Sequence, residues 1–468
     1  MRKVNYLSRG LLLAGICLIL GACSNDDFID VEQEQPTEKS TVHTMKMDFI
    51  GNVIGFDQQQ SSRTNEQTRG ATTSSWTNGD KIYITFYNGT TIVPGEATYS
   101  SSSGWSVSYD GNLATGTNLK CEARYFVNAT FSSASLVSLN SNTEIYEDVN
   151  ATYAYNNGSL TVQATLSPKT GRIRFTGTEG TIIYTTGLSV YTTFAPAINT
   201  FSSSNAIITS EVASNGSTPY IYGSFSNADR NIGLIGSDFA YTRTCTADVL
   251  KTGESGYMAI PSEASHNNWR TGLYVKASGV EFKMIPVAGH TSGFFLMGET
   301  EVTEALYNSV NGTSSISLLP IDNVSYPAIT SFIEKLKNET KLNFALPTSE
   351  QWQYAAKGGN KSQGYTYSGS NIPGDVAWYT ANTSSKKQVK TKAPNELGIY
   401  DMSGNVAEFV STKYDTYYPY QHGGSYLSSA SGIGCTSSTP ISSSSSFRYN
   451  NSGCCFTGVG FRLKLTCP

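Results

Sequence analysis

The sequence predicts a mainly β chain ending in an α+β domain, an N-terminal β-sandwich followed by a loop-rich α+β unit. Three observations carry this expectation. Between His43 and about Tyr274, short runs of β-branched and aromatic residues recur between turn signals. After about Val280, segments with proper helix start signals appear. Beyond Gly359 the chain is rich in Gly, Ser, Asn and Tyr with little regular periodicity, which suits long surface loops.

Taken in order, Arg2 and Lys3 precede the apolar run 11–20, LLLAGICLIL. That run is shorter than the ~20 residues a spanning helix needs, so 1–22 read as a secretory signal. Leu20-Gly21-Ala22-Cys23 resembles the bacterial lipobox. The resemblance implies cleavage before Cys23, lipidation of its sulfur and amine, and anchorage in the outer membrane at the cell surface. Three acyl chains at ~0.8 kcal/mol per buried CH₂ would make that anchor permanent. The alternative is an ordinary signal peptide with a chance cysteine. Residues 23–40 are acidic, polar and contain Pro36, and read as a flexible tether. Ser24-Asn25-Asp26-Asp27 resembles the acidic tag that sends lipoproteins of Bacteroides-like bacteria to the exterior, or is simply an acidic linker.

Residues 41–275 form the expected β-sandwich. Lys81-Ile82-Tyr83-Ile84-Thr85-Phe86 is a strand closed by the turn signal Asn88-Gly89. Arg172-Ile173-Arg174-Phe175 alternates charged and apolar groups as a half-buried strand does, and 220–222 and 272–275 continue the theme. Residues 280–466 form the α+β domain. Ser325 before Tyr326-Pro327, with Ile329, Phe332, Ile333 and Leu336 behind, gives an N-cap, an early proline and one apolar face. Thr348-Ser349-Glu350-Gln351 is a capping box opening a second helix, with Trp352, Ala355 and Ala356 inward, that Gly358-Gly359 ends.

A net charge of −4 with 15% charged residues offers no basic face for nucleic acid. Beyond Cys17 and Cys23, the cysteines are Cys121 and Cys245, then Cys435, Cys454, Cys455 and Cys467. An oxidising compartment permits disulfides among them, but the pairing stays open. No CxxC pair or His/Cys cluster gives a zinc pattern.

Five blocks in the second domain resemble the formylglycine-generating-enzyme/sulfatase-modifying superfamily. They are Thr300-Glu301-Val302-Thr303, the 346–356 stretch LPTSEQWQYAA, the 394–409 stretch PNELGIYDMSGNVAEF, Gly423-Gly424-Ser425 and Gly460-Phe461-Arg462-Leu463. The resemblance implies a C-type-lectin-like fold. Arg462 reads as a buried guanidinium that bridges loops by satisfying several carbonyls. Carried onto this sequence, the superfamily's calcium loop would use the side chains of Asp401 and Glu408 and the carbonyls of Gly404 and Val406. The alternative is a cation-free turn with capping carboxylates. Active members hold copper on two cysteines, the first two residues after the block matching Gly423–Tyr426 and the second five residues later. Here Ser428 and Ile433 stand at those positions, and serine cannot replace a thiolate for a soft metal. Other branches use histidine-bound iron, whereas only His290 and His422 lie in this domain. The expectation is therefore a binding domain rather than an oxidase. The recognition surface would be its aromatic loops, with Tyr365, Tyr367, Trp378, Tyr379, Tyr414, Tyr417, Tyr418 and Tyr420, holding a glycan or protein. The competing reading is an enzyme of that superfamily acting on exported substrates.

Residues 76–82 (WTNGDKI) and 166–175 (LSPKTGRIRF) resemble fimbrillin-type pilins of Bacteroides-like bacteria, in which a transthyretin-like sandwich is expected. The alternative is an unrelated β-sandwich. The resemblance implies cleavage after an arginine near the first strand, loss of that strand, and its replacement by a strand of a neighbouring subunit. Met45–Ile50 would be the strand lost, and Arg69, or else Arg63, the cleavage point. The chain would then be a fimbrial subunit or tip adhesin.

Overall fold

The structure, a computed structural model, describes residues 42–56, 76–133, 136–205, 207–226, 228–262, 268–413, 419–440 and 455–467. Cys23, Arg63, Arg69, Cys454, Tyr414, Tyr417 and Tyr418 lie outside the described residues. Among the described residues no helix is long and apolar enough to cross a membrane.

The first strand, β1 (Val42–Val53), turns Met45, Met47, Phe49 and Val53 to one side and leaves Ile50 outside. Lys81–Asn88 (β2) and Thr91–Ser100 (β3) form the hairpin that Asn88-Gly89 announces, in register from Lys81↔Thr98 to Asn88↔Thr91. Gly104–Asp110 (β4) pairs with β3, and Gly116–Val127 (β5) pairs with the other edge of β2. Beyond β5 come Glu144–Asp148 and Ser159–Pro168. The first half of β1 runs antiparallel to β4, from Val42↔Asp110 to Met47↔Trp105. Its second half runs parallel to Ser159–Pro168, from Met47↔Leu160 to Val53↔Leu166. The sheet therefore closes on itself through β1, around a core that includes Ile82, Ile84, Phe86, Val107, Tyr153 and Val162.

This departs from the single sandwich expected over 41–275. Closure leaves the first sheet no free inner face to offer a second sheet, so residues 171–271 build their own core. That core contains Ile173, Phe175, Ile183, Leu188, Ile221 and Leu234, drawn from two sheets. The alternating strand Gly171–Thr176 is present, but its charged side is largely covered, with Arg174 half-buried. Arg172 is buried, and both arginines lie over the ring of Tyr220.

The expected break at 275–280 falls inside a hairpin. Leu273–Ala277 pairs with Val280–Val287, which continues through Phe295–Gly298 and Lys464–Thr466 to Phe344–Ala345. The core beneath that sheet also takes in Ile235 and Ala240 from the preceding module. Helix α1 (Glu304–Val310) starts on Thr303, whose hydroxyl accepts from Leu306 N. Helix α2 (Tyr326–Thr340) starts on Ser325 with Pro327 in its first turn. It buries Ile329, Phe332, Ile333 and Leu336, each worth about 1.5–3 kcal/mol when fully removed from water. Lys341, in left-handed conformation at φ 60°, ends it. Helix α3 (Ser349–Ala356) carries the complete capping box: Thr348 Oγ1 accepts from Gln351 N, and Gln351 Oε1 accepts from Thr348 N.

Candidate functional site

The positions where the superfamily places its copper cysteines hold a closed turn. Ser428 Oγ accepts from Ser425 N at 3.0 Å, and Ser425 Oγ accepts from Leu427 N at 3.2 Å. The carbonyl of Ser428 takes both the N–H and the hydroxyl of Thr380. Ile433 is fully buried. The two hydroxyls thus shape the turn, and the aliphatic group fills the core behind it. Nearby, Cys435 is buried among Ile399, Met402 and Val410, and its thiol points at the carbonyl of Ala356. Burial pushes that thiol up to about 11, away from the thiolate form that reactivity needs. Cys121, Cys245, Cys435 and Cys467 carry free thiols, while Cys455 is exposed. Burial raises Cys467 to about 12.

The histidines do not converge on a site. His422 is buried, stacked on Trp352 at 5.1 Å, with Nε2 against Ser349 Oγ at 2.9 Å. Desolvation lowers it to about 4, so it is neutral at physiological pH. His290 instead places Nδ1 on Ser292 Oγ in a separate loop.

The stretch expected to bind calcium is the centre of a buried ionic cluster. Arg462 has no solvent exposure. Its Nη1 donates to Gly298 O and its Nη2 to Tyr400 O, the loop-bridging role read from the sequence. The sequence did not reveal its counter-ion, Glu408, reached at 2.7 Å through Nη2 and at 3.1 Å through Nε. Glu408 Oε2 also accepts from the Trp352 indole at 2.6 Å. Both Glu408 oxygens are thus committed. Asp401 Oδ2 accepts from Lys390 N at 2.8 Å, while Oδ1 is buried without a partner. Gly404 has φ +76°, and a Cβ there would lie 2.3 Å from the Trp378 carbonyl, so the loop admits only glycine. Val406 N donates to Glu301, whose Oε2 is likewise buried and unpartnered.

Calcium takes six to eight oxygens. With Glu408 given to Arg462 and Trp352, the four residues named for that ion do not fit it as they stand. Among the described residues no three His, Cys, Asp or Glu side chains group as a metal site. What the cluster does is hold three carboxylates around one guanidinium. Desolvation, reinforced by Asp401, pushes Glu301 well above the usual carboxylate range. Desolvation raises Asp401 to about 6.

Of the aromatic loop residues, Tyr365, Tyr367, Trp378, Tyr379 and Tyr420 are half-buried rather than fully displayed. Trp378 donates to Thr391 Oγ1 and lies under the Lys392 ammonium at 4.3 Å. Tyr420 packs against the core around Trp352. A cavity of about 380 Å³, not foreseen from the sequence, opens beside the ionic cluster, with Gly298 and Glu301 in its lining. Phe282, Met284, Leu306, Leu318 and Val389 line it, beside the ion-paired Lys283, Glu299 and Lys390.

Residues 273–466 match the Sulfatase-modifying factor enzyme 1-like domain. The chain is 47% identical to the chaperone protein LppX of Paenibacillus barcinonensis over a stretch covering 15% of this chain and 32% of that protein. It thus spans about a third of that curated relative's length. Among solved structures it resembles Treponema denticola variable protein 1, at 25% identity and TM-score 0.34, over 41% of this chain and 98% of that one. It also resembles a fimbrial protein from Bacteroides ovatus, at 10% identity and TM-score 0.25, over 91% of this chain and 99% of that one.

Proposed function

We propose, from the premise that residues 273–466 are a sulfatase-modifying-factor-type domain, that this domain holds a ligand at the cell surface rather than oxidising one. The whole chain is then an outer-membrane lipoprotein anchored through Cys23, a fimbrial subunit or tip adhesin. Its β modules join neighbouring subunits by strand exchange, and its terminal domain presents a glycan- or protein-binding surface.

The observation that carries this reading is β1. It is the first described strand, it completes a closed sheet through main-chain pairing on both sides, and Arg63 and Arg69 follow it in the sequence. A cut there would free one strand and leave two unsatisfied edges for a neighbour's strand. Mapping the N-terminus of the protein on native cells tests it. A start at Gly70 in assembled material is expected; a lipid-modified start at Cys23 throughout would sink the exchange step.

The family match favours one competitor, an enzyme acting on exported substrates. Ser428 and Ile433 speak against it, because a copper site of this kind needs two thiolates. Incubating the purified chain with copper and a cysteine-containing peptide should give no oxidised product; turnover would restore the enzymatic reading.

A further inference from the structure

Strand β1 fits its slot by a narrower pattern than alternation requires. Phe49 meets Trp76 edge-on and Trp105 at a tilt, both at 5.7 Å, and Met47 and Val53 are buried. Ile50, on the opposite side, is 57% exposed. Period-two alternation puts residue 51 on the same side as 49 and 53, and that residue is glycine. It pairs with Ala164, and a Cβ built on it would lie 2.0 Å from the Ala164 carbonyl oxygen. That obstacle is backbone and cannot swing aside, so the requirement is steric.

Past the strand's end, Ile54 N still donates to Leu166 O at 2.8 Å, and Phe56 then enters a socket. Tyr146 and Tyr222 form its walls, with ring centres 6.0 and 5.5 Å from that of Phe56. Both hydroxyls donate to Glu144, at 2.6 and 2.8 Å, which fixes the walls in place. The Arg172 guanidinium lies 4.6 Å over the Phe56 ring, and its Nε is tied to Ser255 Oγ at 2.7 Å. A desolvated guanidinium over a ring face favours an aromatic occupant over an aliphatic one. The socket joins two modules, since Tyr146 belongs to the closed sheet while Arg172 and Tyr222 belong to the next.

Resting on the strand-exchange reading above, we infer that this slot selects its replacement by sequence. The incoming strand of a neighbouring subunit runs parallel to Ser159–Pro168 as β1 does. It carries glycine opposite Ala164, apolar residues two positions to either side, and an aromatic residue five positions after the glycine. The glycine sets the register, because a one-residue slip would drive a Cβ into the Ala164 carbonyl. The aromatic residue locks the end of the strand to the second module.

The test uses the mature chain cut by an arginine-specific protease and stripped of its N-terminal piece. Four labelled peptides are titrated in: the unaltered 42–56 sequence and its Gly51→Val, Phe56→Leu and Ile50→Ser forms. The unaltered peptide should rebind, with Gly51→Val weaker by about tenfold or more and Phe56→Leu by about fivefold. Ile50→Ser should stay within about twofold, since its side chain faces water. Equal binding by all four overturns the pattern and leaves strand exchange standing. Failure of every peptide on a cut chain that keeps its near-ultraviolet dichroism overturns both. Should cutting unfold the chain, hydrogen exchange in the uncut protein decides. Gly51→Val should speed exchange of the 160–166 amides by about tenfold while Ile50→Ser leaves them unchanged; no difference between the two overturns the pattern.

Discussion

At the scale of single residues, Arg462 and its carboxylates dominate the terminal domain. Removing one partner of a buried ion pair strands the other without water, at about 3–5 kcal/mol. Arg462→Ala should therefore lower stability by that order in urea denaturation, and Glu408→Leu combined with Arg462→Met should recover much of the loss. Asp401 gives a prediction with a definite sign. Burial pushes its carboxyl up to about 6 in the fold, from an ordinary value of 3.8. The native state therefore binds more protons between those values, and stability falls as pH rises through that window. The penalty is absent below about pH 4 and complete above about pH 6. Asp401→Asn keeps an oxygen for Lys390 N and cannot ionise. It should be about 1–3 kcal/mol more stable than the native chain at pH 8, with the difference closing by pH 4 in paired urea titrations.

At the scale of elements, local signals were legible and distant pairings were not. Thr348 and Gln351 lie three residues apart and bond each other, so the sequence displays both halves of the box that starts α3. Thr348→Ala should cost about 1 kcal/mol, read as a shift of the urea midpoint at unchanged slope. The β2–β3 hairpin and the N-cap of α2 were readable for the same reason. The pairing of β1 with Ser159–Pro168 joins Met47 to Leu160, more than a hundred residues apart, and leaves no local trace. Closure of the first sheet, and with it the division of 41–275 into several cores, was therefore hidden. The site was legible to a similar extent. Arg462 could be read as bridging carbonyls because GFRL is a contiguous motif. Its commitment to Glu408, which removes a ligand from the expected calcium set, arises only when the parallel strands Ala407–Lys413 and Val459–Phe461 come side by side. The charged side of Gly171–Thr176 was misjudged because alternation shows which residues share a face, not whether aromatic rings cover it.

At the scale of the whole molecule, the boundary near residue 275 is a change of texture rather than a break in packing. Ile235 and Ala240 share a core with Leu273, Phe332 and Phe461, and Leu273–Ala277 is an edge strand of the terminal sheet. A fragment of residues 280–466 would lose that strand and expose the apolar surface beneath it. It should be markedly less stable than a fragment of residues 169–467, in which calorimetry should show one transition for both parts. The same continuity has a mechanical meaning. Because Ile235 and Ala240 sit in the same core as Leu273, Phe332 and Phe461, the residues on either side of 275 cannot swivel apart without opening that shared interior. On the proposed reading of the terminal domain as a ligand holder, a pull on its ligand would pass through that interior into the strands of the preceding module.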